Sequence, residues 1–259
     1  MLLRCMEKMN IKKLVSTQEW QARCELAALY RLIAYYKMSD LIDTHISLRV
    51  PNEPEHFLIN QYGIAFEKMT ASDLVKINHQ GAIVEQHDAD KVVNVAGFVI
   101  HSALHTQHAH LNCVIHTHTA DGIAVSAQQQ GLLPISQHAL KFYGKIGYHD
   151  YEGVALSLDE QARLLADLGA HRVMILRNHG LLVAGESIQR AFHEIYFLEK
   201  ACQIQIKALA GGSRLNLPDS RVCERTAKQF SSPAIEPIIV NAWHAALSLI
   251  EAQRAEYCT

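Results

Sequence analysis

With 259 residues, 49% hydrophobic and 19% charged, the chain is large enough for one globular domain with an ample core. Lys and Arg number 24 against 26 Asp and Glu, a formal net charge of -2 without blocks of like charge. That balance argues against a nucleic-acid footprint or a polybasic membrane anchor. No segment reaches the roughly 18 consecutive apolar residues of a membrane-spanning helix, and Met1–Lys13 mixes charges into its apolar residues instead of forming a signal-peptide core. Cys5, Cys24, Cys113, Cys202, Cys223 and Cys258 form no CxxC pair, so free thiols in a reducing compartment are expected, and with them a soluble, cytoplasmic protein.

Ser16 and Glu19 have capping-box spacing and open an expected helix reaching to about Tyr36. Short extended runs follow: Ile46–Val50, closed by Pro51; Phe57–Asn60, closed near Gly63; Leu74–Ile77; and a return strand over Ala82–Glu85. A helix is expected from about Ala96 to His108, a strand ending at His118, and a helix from Ile123 to Gln130. The stretch beyond Ile135 reads as short-stranded and turn-rich as far as Gly153. Leu158–Leu168 is helical in pattern, with Asp159 and Glu160 suited to a first turn. Val173–Leu176 and Leu181–Ala184 read as strands around a corner at His179. Ser187 caps a long helix whose apolar residues, from Ile188 to Leu209, keep a helical period until Gly211-Gly212-Ser213. Residues 213–259 hold weaker helical patterns and read as a C-terminal appendage, residues 1–15 as an N-terminal extension, and 16–212 as the domain proper. Several strands precede the first interleaved helices, which predicts a mixed sheet with helices on its faces, not a doubly wound parallel sheet.

The chemistry concentrates in histidine, of which there are 16. His116 and His118 close an apolar, β-branched run. In a strand, i and i+2 side chains leave the same face about 6.6 Å apart, so both imidazoles can converge on one cation. His179, ending the run Val173–Leu176, is the third candidate; a catalytic zinc takes three protein ligands and keeps a fourth position open. The same pattern also fits the polar rim of a sheet followed by a turn. His101 and His105 share a helix face and are read as hydrogen bonding to the core or the sheet, with a second metal pair as the alternative. His45 and His138 sit in loop-rich positions that suit either pocket lining or ordinary surface. Cys113, in an apolar strand, reads as core. No dinucleotide fingerprint, Walker loop, GxSxG elbow or HExxH occurs.

Gly131-Leu132-Leu133-Pro134-Ile135-Ser136, Tyr148-His149-Asp150-Tyr151, Ile175-Leu176-Arg177-Asn178-His179-Gly180-Leu181 and Gly185-Glu186-Ser187 together resemble the class II aldolase/adducin family. Phe57–Gly63 and Thr70–Lys76 are similar to the adducin-head subgroup. The resemblance spans about residues 18–212. It implies a three-layer α/β/α single domain around a mixed, mainly antiparallel sheet, usually a homotetramer with sites near subunit interfaces. It also implies a divalent metal, typically zinc with manganese or iron as alternatives, on His116, His118 and His179. Aldolases of the family cleave sugar phosphates, the metal acting as a Lewis acid on the developing oxyanion while a glutamate handles the proton.

This sequence departs from that pattern. Gly97 stands where the resemblance places the acid–base glutamate, Val95 and Ala96 where it places phosphate-binding serines, and Thr44-His45 where it places a Gly-Asn pair ahead of Ser47 and Arg49. The expected function is therefore a metal-dependent lyase acting by aldol cleavage or decarboxylation on a small, non-phosphorylated hydroxy or keto acid. His45, Arg49, Gly97 and His138 are the expected substrate-binding positions, and His45, His138 and Glu67 the weak candidates for the catalytic proton. Two alternatives stay open: a metal-dependent isomerase, and a non-catalytic adducin-like module with an actin-type partner. The sequence closes at Thr259 without the long basic tail through which adducins engage actin and spectrin, which weighs against the second. Tyr257 either reaches a neighbouring subunit's site, as tail residues do in related aldolases, or belongs to a frayed end.

Overall fold

The structure is a computed structural model describing residues 11–153 and 159–259. The first ten residues of the expected N-terminal extension and Leu158, the expected start of a helix, lie outside these, as do the side chains of Val95 and Ala96.

In chain order the elements are α1 (Thr17–Tyr35), β1 (His45–Val50), β2 (Glu53–Asn60), β3 (Leu74–Asn78), α2 (Val95–Gln107) and β4 (Cys113–Thr117). There follow α3 (Ala120–Ser126), α4 (Gln137–Leu140), β5 (Ile146–His149), α5 (Asp159–Leu168), β6 (Val173–Leu176), β7 (Gly180–Gly185) and α6 (Ile188–Leu209). Three C-terminal helices complete the chain: α7 (Ser220–Phe230), α8 (Glu236–Ser248) and α9 (Arg254–Tyr257). Several helices begin where the sequence supplies a side-chain cap. Ser16 Oγ accepts from Glu19 N at 3.1 Å and Ser187 Oγ from Arg190 N at 3.2 Å, each satisfying an otherwise orphan donor.

The strands form one seven-stranded sheet in the order β3-β2-β1-β4-β7-β6-β5. Every neighbouring pair is antiparallel except β5–β6, which α5 connects as a crossover. Side chains alternate between the two faces. Ile46, Ile115, Leu181 and Val183 pack with α1, α6 and Trp243 of α8, while Val114, Met174 and Leu182 pack with Ile100 and Leu104 of α2 and Leu164 of α5. This is the expected three-layer α/β domain with a mixed, mainly antiparallel sheet.

Two stretches differ from the sequence reading. Ala82–Glu85 makes only a single bridge, Ile77 to Ile83, because the chain is drawn off the sheet edge into a helical turn at Gln86–Asp88. The fully buried Asp88 holds that turn down: its carboxylate accepts from Lys76 N at 3.1 Å and meets Lys91 Nζ at 2.8 Å. The stretch expected to be short-stranded contains α4, capped by Ser136, and one strand, β5. At the C-terminus Tyr257 neither frays nor leaves the subunit. It is buried, with the Arg31 guanidinium 5.8 Å over its ring, while Ser72 N donates to Thr259 O at 2.9 Å.

Candidate metal centre

β4 lies in the middle of the sheet, with His116 paired to His45 of β1 on one side and Leu182 of β7 on the other. His116 therefore faces the α2–α5 layer with Val114, and His118 follows just past the strand end. Thr119 then turns the chain into α3, its Oγ1 accepting from Gly122 N at 3.2 Å. His179 arrives on the tight β6–β7 connection, where Asn178 adopts φ 56° and His179 N donates to Leu176 O at 3.1 Å. Gly180 lets this hairpin close on β4: a Cβ there would lie 2.4 Å from Thr117 O.

The result is a triangle of ring nitrogens. His116 Nε2 and His118 Nε2 are 2.8 Å apart, His118 and His179 3.0 Å, and His116 and His179 3.3 Å. The opposite ring nitrogens define what these atoms carry. His116 Nδ1 donates to the Leu181 carbonyl at 2.9 Å and His118 Nδ1 to the Asp40 carboxylate at 3.2 Å, so in the neutral rings each Nε2 is a lone pair. Burial, reinforced by the neighbouring imidazoles, holds His116 well below the usual histidine range and His179 at about 4, so at neutral pH neither of these two rings takes up a proton to relieve the crowding. A cation would. Three convergent imidazoles, two of them anchored through the outer nitrogen on a carbonyl and a carboxylate, fit a first-row divalent metal. For tetrahedral ligands at about 2.0–2.1 Å from zinc, nitrogens stand roughly 3.3 Å apart, slightly wider than here.

His45, expected at the start of a strand in a loop-rich position, is the first residue of β1 and only 3% exposed. Its ring stacks on His116 with centroids 5.3 Å apart and planes at 28°. It also lies directly against Gly97 on α2, where an added Cβ would meet His45 Cδ2 at 2.5 Å and Nε2 at 2.9 Å. The imidazole of one strand thus fills the space that a side chain at position 97 would need. Behind it, His101 and His105 hydrogen-bond to His45 and Ser47, the role read for them from the sequence.

The other candidates are not brought to the triad. Arg49 sits at the far end of β1, about 13 Å along the strand from His45 at about 3.3 Å per residue, with its guanidinium on the carbonyls of Pro54, His105 and Leu111. Its expected substrate contact is corrected: strand position, not charge, decides which end of the sheet a side chain serves. His138 lies on α4 and stacks on Phe197 of α6 at 5.1 Å, and Glu67 is exposed in a helical turn at Phe66–Lys68. Neither contacts the three rings. Two further residues lie near them that the sequence does not mark as site residues. Asp40 comes from the loop after α1, with no pattern to mark it. Tyr151, two residues past β5, has its ring 6.3 Å from that of His179; in the sequence it stands out only as part of a family motif.

A family model described as "Class II Aldolase and Adducin N-terminal domain" matches residues 24–206. The crystal structure of an aldolase II superfamily protein from Pseudomonas syringae superposes with a TM-score of 0.90 at 47% identity, covering 96% of this chain and 99% of that one. L-fuculose 1-phosphate aldolase from Glaciozyma antarctica PI12 follows at TM-score 0.81 and 26% identity, covering 92% of each chain. Alpha-adducin of Rattus norvegicus is 44% identical over 218 residues, which is 83% of this chain but 30% of that protein.

Proposed function

This chain belongs to the class II aldolase and adducin family, and from that premise we propose that it is a divalent-metal-dependent lyase cleaving a carbon–carbon bond of a small, non-phosphorylated hydroxy or keto acid. The observation that carries the reading is the convergence of the His116, His118 and His179 Nε2 atoms within 3.3 Å of one another. Zinc suits this donor set, with manganese or iron as alternatives. Bound there, it would supply Lewis-acid stabilisation of negative charge developing on a substrate oxygen.

The chain's own residues do the rest. The Leu181 carbonyl and Asp40 carboxylate hold two rings in the tautomer that points Nε2 inward. His45 occupies the wall where the family pattern has a carboxylate, and Tyr151 stands beside His179, itself 54% exposed and placed to orient what enters. A phosphorylated substrate is disfavoured because Val95, Ala96 and Thr44-His45 replace the groups expected to cradle phosphate, and Arg49 is turned onto backbone carbonyls. As in much of the family, the active form would be a homo-oligomer, with a tetramer as the working assembly.

The decisive experiment incubates purified, zinc-loaded protein with a panel of hydroxy and keto acids and follows release of carbon dioxide or aldehyde. Turnover that is lost on chelation and restored by zinc supports the reading, and no release from any member overturns it. The 44% identity to alpha-adducin favours one second reading, a non-catalytic binding module with an actin-type partner. Co-sedimentation with filamentous actin by protein inactive on the whole panel would select it.

A further inference from the structure

Among the described residues five acidic side chains are buried. Four of them lie beside a basic group: Glu19 beside Arg23, Asp88 beside Lys91, Glu160 beside His149 and Glu194 beside Lys141. Glu199, 3% exposed on α6, has no basic partner. Burying such a carboxyl group costs stability that an apolar side chain of similar size would not. What Glu199 holds is the start of α3. Its Oε2 accepts from Thr119 Oγ1, and its Oε1 accepts from Gln203 Nε2 at 2.8 Å. The Gln203 amide is oriented for this, since its own oxygen accepts from Lys200 Nζ at 3.0 Å. Thr119 Oγ1 also accepts from Gly122 N at 3.2 Å, so the hydroxyl gives its one hydrogen to α6 and caps α3 with a lone pair.

α3 touches the support of every ring in the triad. Its cap, Thr119, is the residue after His118. In its first turn Gly122 lies against Leu181: a Cβ there would come within 2.8 Å of Leu181 Cγ. The Leu181 carbonyl is the group that orients His116, accepting from Nδ1 at 2.9 Å. At the other end of α3 the Ser126 carbonyl accepts from Asn178 N at 3.4 Å, one residue before His179. One short helix thus bears on three ligands drawn from two separate parts of the chain. Val125 of α3 packs in the same apolar cluster as Leu181 and Leu198. The hydrophobic effect is non-directional, so it presses α3 against α6 without fixing its position along that helix. A hydrogen bond at the cap is directional and does fix it.

We propose that Glu199 is a positioning residue of the metal centre: from α6 it anchors the Thr119 cap, and through α3 it sets the spacing of His116, His118 and His179, none of which it hydrogen-bonds. The inference rests on the metal-centre reading of the three histidines. It explains a buried carboxyl without a basic partner, because the group serves the geometry of the site ahead of the stability of the core.

The test compares full-length variants by zinc affinity, measured in competition with a chromophoric chelator, and by the visible absorption of cobalt(II)-loaded protein, which reports the geometry around the ion. Glu199→Gln keeps the volume but trades an acceptor for a donor, and Thr119→Val removes the hydroxyl. Each should weaken zinc binding by roughly 10–100-fold, the usual effect of losing a group that supports metal ligands. Each should also change the cobalt spectrum, and Thr119→Ser, which restores a hydroxyl, should restore both readouts. The double variant should bind no worse than the weaker-binding single variant, because both substitutions break the same contact. Asp88→Ala, beneath the edge strand β3, is the control for general destabilisation and should leave affinity and spectrum unchanged. The inference is overturned if either folded variant, Glu199→Gln or Thr119→Val, binds zinc as before with the same cobalt spectrum. It is also overturned if Asp88→Ala loses affinity to the same degree. Should one of the two variants fail to fold, the other decides. Unsubstituted protein that takes up no zinc would remove the metal-centre reading itself, so the two failures are distinguishable.

Discussion

The imidazole of His45 and the bare Cα of Gly97 are steric complements: any Cβ at position 97 would come within 2.5 Å of the ring. The ring in turn is pinned between His116, on which it stacks, and His101, to which it hydrogen-bonds. It cannot move aside without disturbing the three convergent histidines or the buried His101, Ser47 and His105 behind it.

Gly97→Ala should therefore destabilise the fold by about 1–3 kcal/mol, the usual range for overpacking a filled interior. Thermal unfolding measures this, at roughly 2–4 °C per kcal/mol for a chain of this size. In the double variant Gly97→Ala/His45→Ala the clash is gone, so the two changes should be non-additive. Strict additivity would show that the ring and Gly97 do not compete for space.

Metal binding should depend on all three rings. Zinc measured by mass spectrometry after dialysis is expected at one equivalent per chain, falling to background in His116→Ala and His179→Ala. Asp40→Asn, which touches only the outer nitrogen of His118, should weaken zinc affinity by roughly 10–100-fold without abolishing it. Full zinc content in either His→Ala variant would exclude the triad as the site.

The ionic network under β3 joins Glu19, Arg23, Lys76, Asp88 and Lys91, with Arg23 and Asp88 wholly buried. Removing one member leaves uncompensated charge in a poorly solvated place. Asp88→Ala should cost about 3–5 kcal/mol in a chemical denaturation experiment. It should also free the Gln86–Asp88 turn, since Lys76 N loses its acceptor. A loss below about 1 kcal/mol would mean that the network contributes nothing beyond a surface ion pair.

Acid should destabilise the metal-free protein earlier than carboxylate titration alone would. Burial, with the Arg49 charge assisting, lowers His105 to about 3, and burial beside Lys141 lowers His193 to about 4, both from 6.5. Between those values and 6.5 the unfolded chain binds protons that the folded chain refuses. Stability is thus complete above pH 6.5 and falls as pH drops, by up to about 1.4 kcal/mol per pH unit for each such group. Denaturation midpoints measured from pH 7.5 to 5 should fall steadily, and His105→Gln should flatten the slope. A flat profile over that range would contradict the buried neutral state of these rings.

Local pattern, read along the chain, was enough for much of the architecture. The capping serines at 16 and 187, the helical period of α6, the β-branched run into His116 and the turn at Asn178-His179 depend on neighbours within a few residues, so helix and strand assignments and the alternation of faces follow from them. The i, i+2 spacing also put the His116 and His118 rings within reach of each other before any fold was known. Other features depend on which elements lie side by side across the sheet. His45 meets Gly97 because β1 runs antiparallel to β4 beneath α2; Arg49, four residues further along β1, is carried to the opposite end; Asp40 reaches His118 across 78 positions of sequence. Ala82–Glu85 fails as a strand because the buried Asp88 anchors the chain elsewhere, and Tyr257 is ordered by Arg31 on a helix more than 200 residues earlier. Backbone periodicity and capping are nearest-neighbour effects that a sequence carries openly. Which side chain fills a given void is settled only when non-local packing excludes the alternatives, and at this site that packing puts the His45 ring, not a side chain at position 97, beside the three histidines.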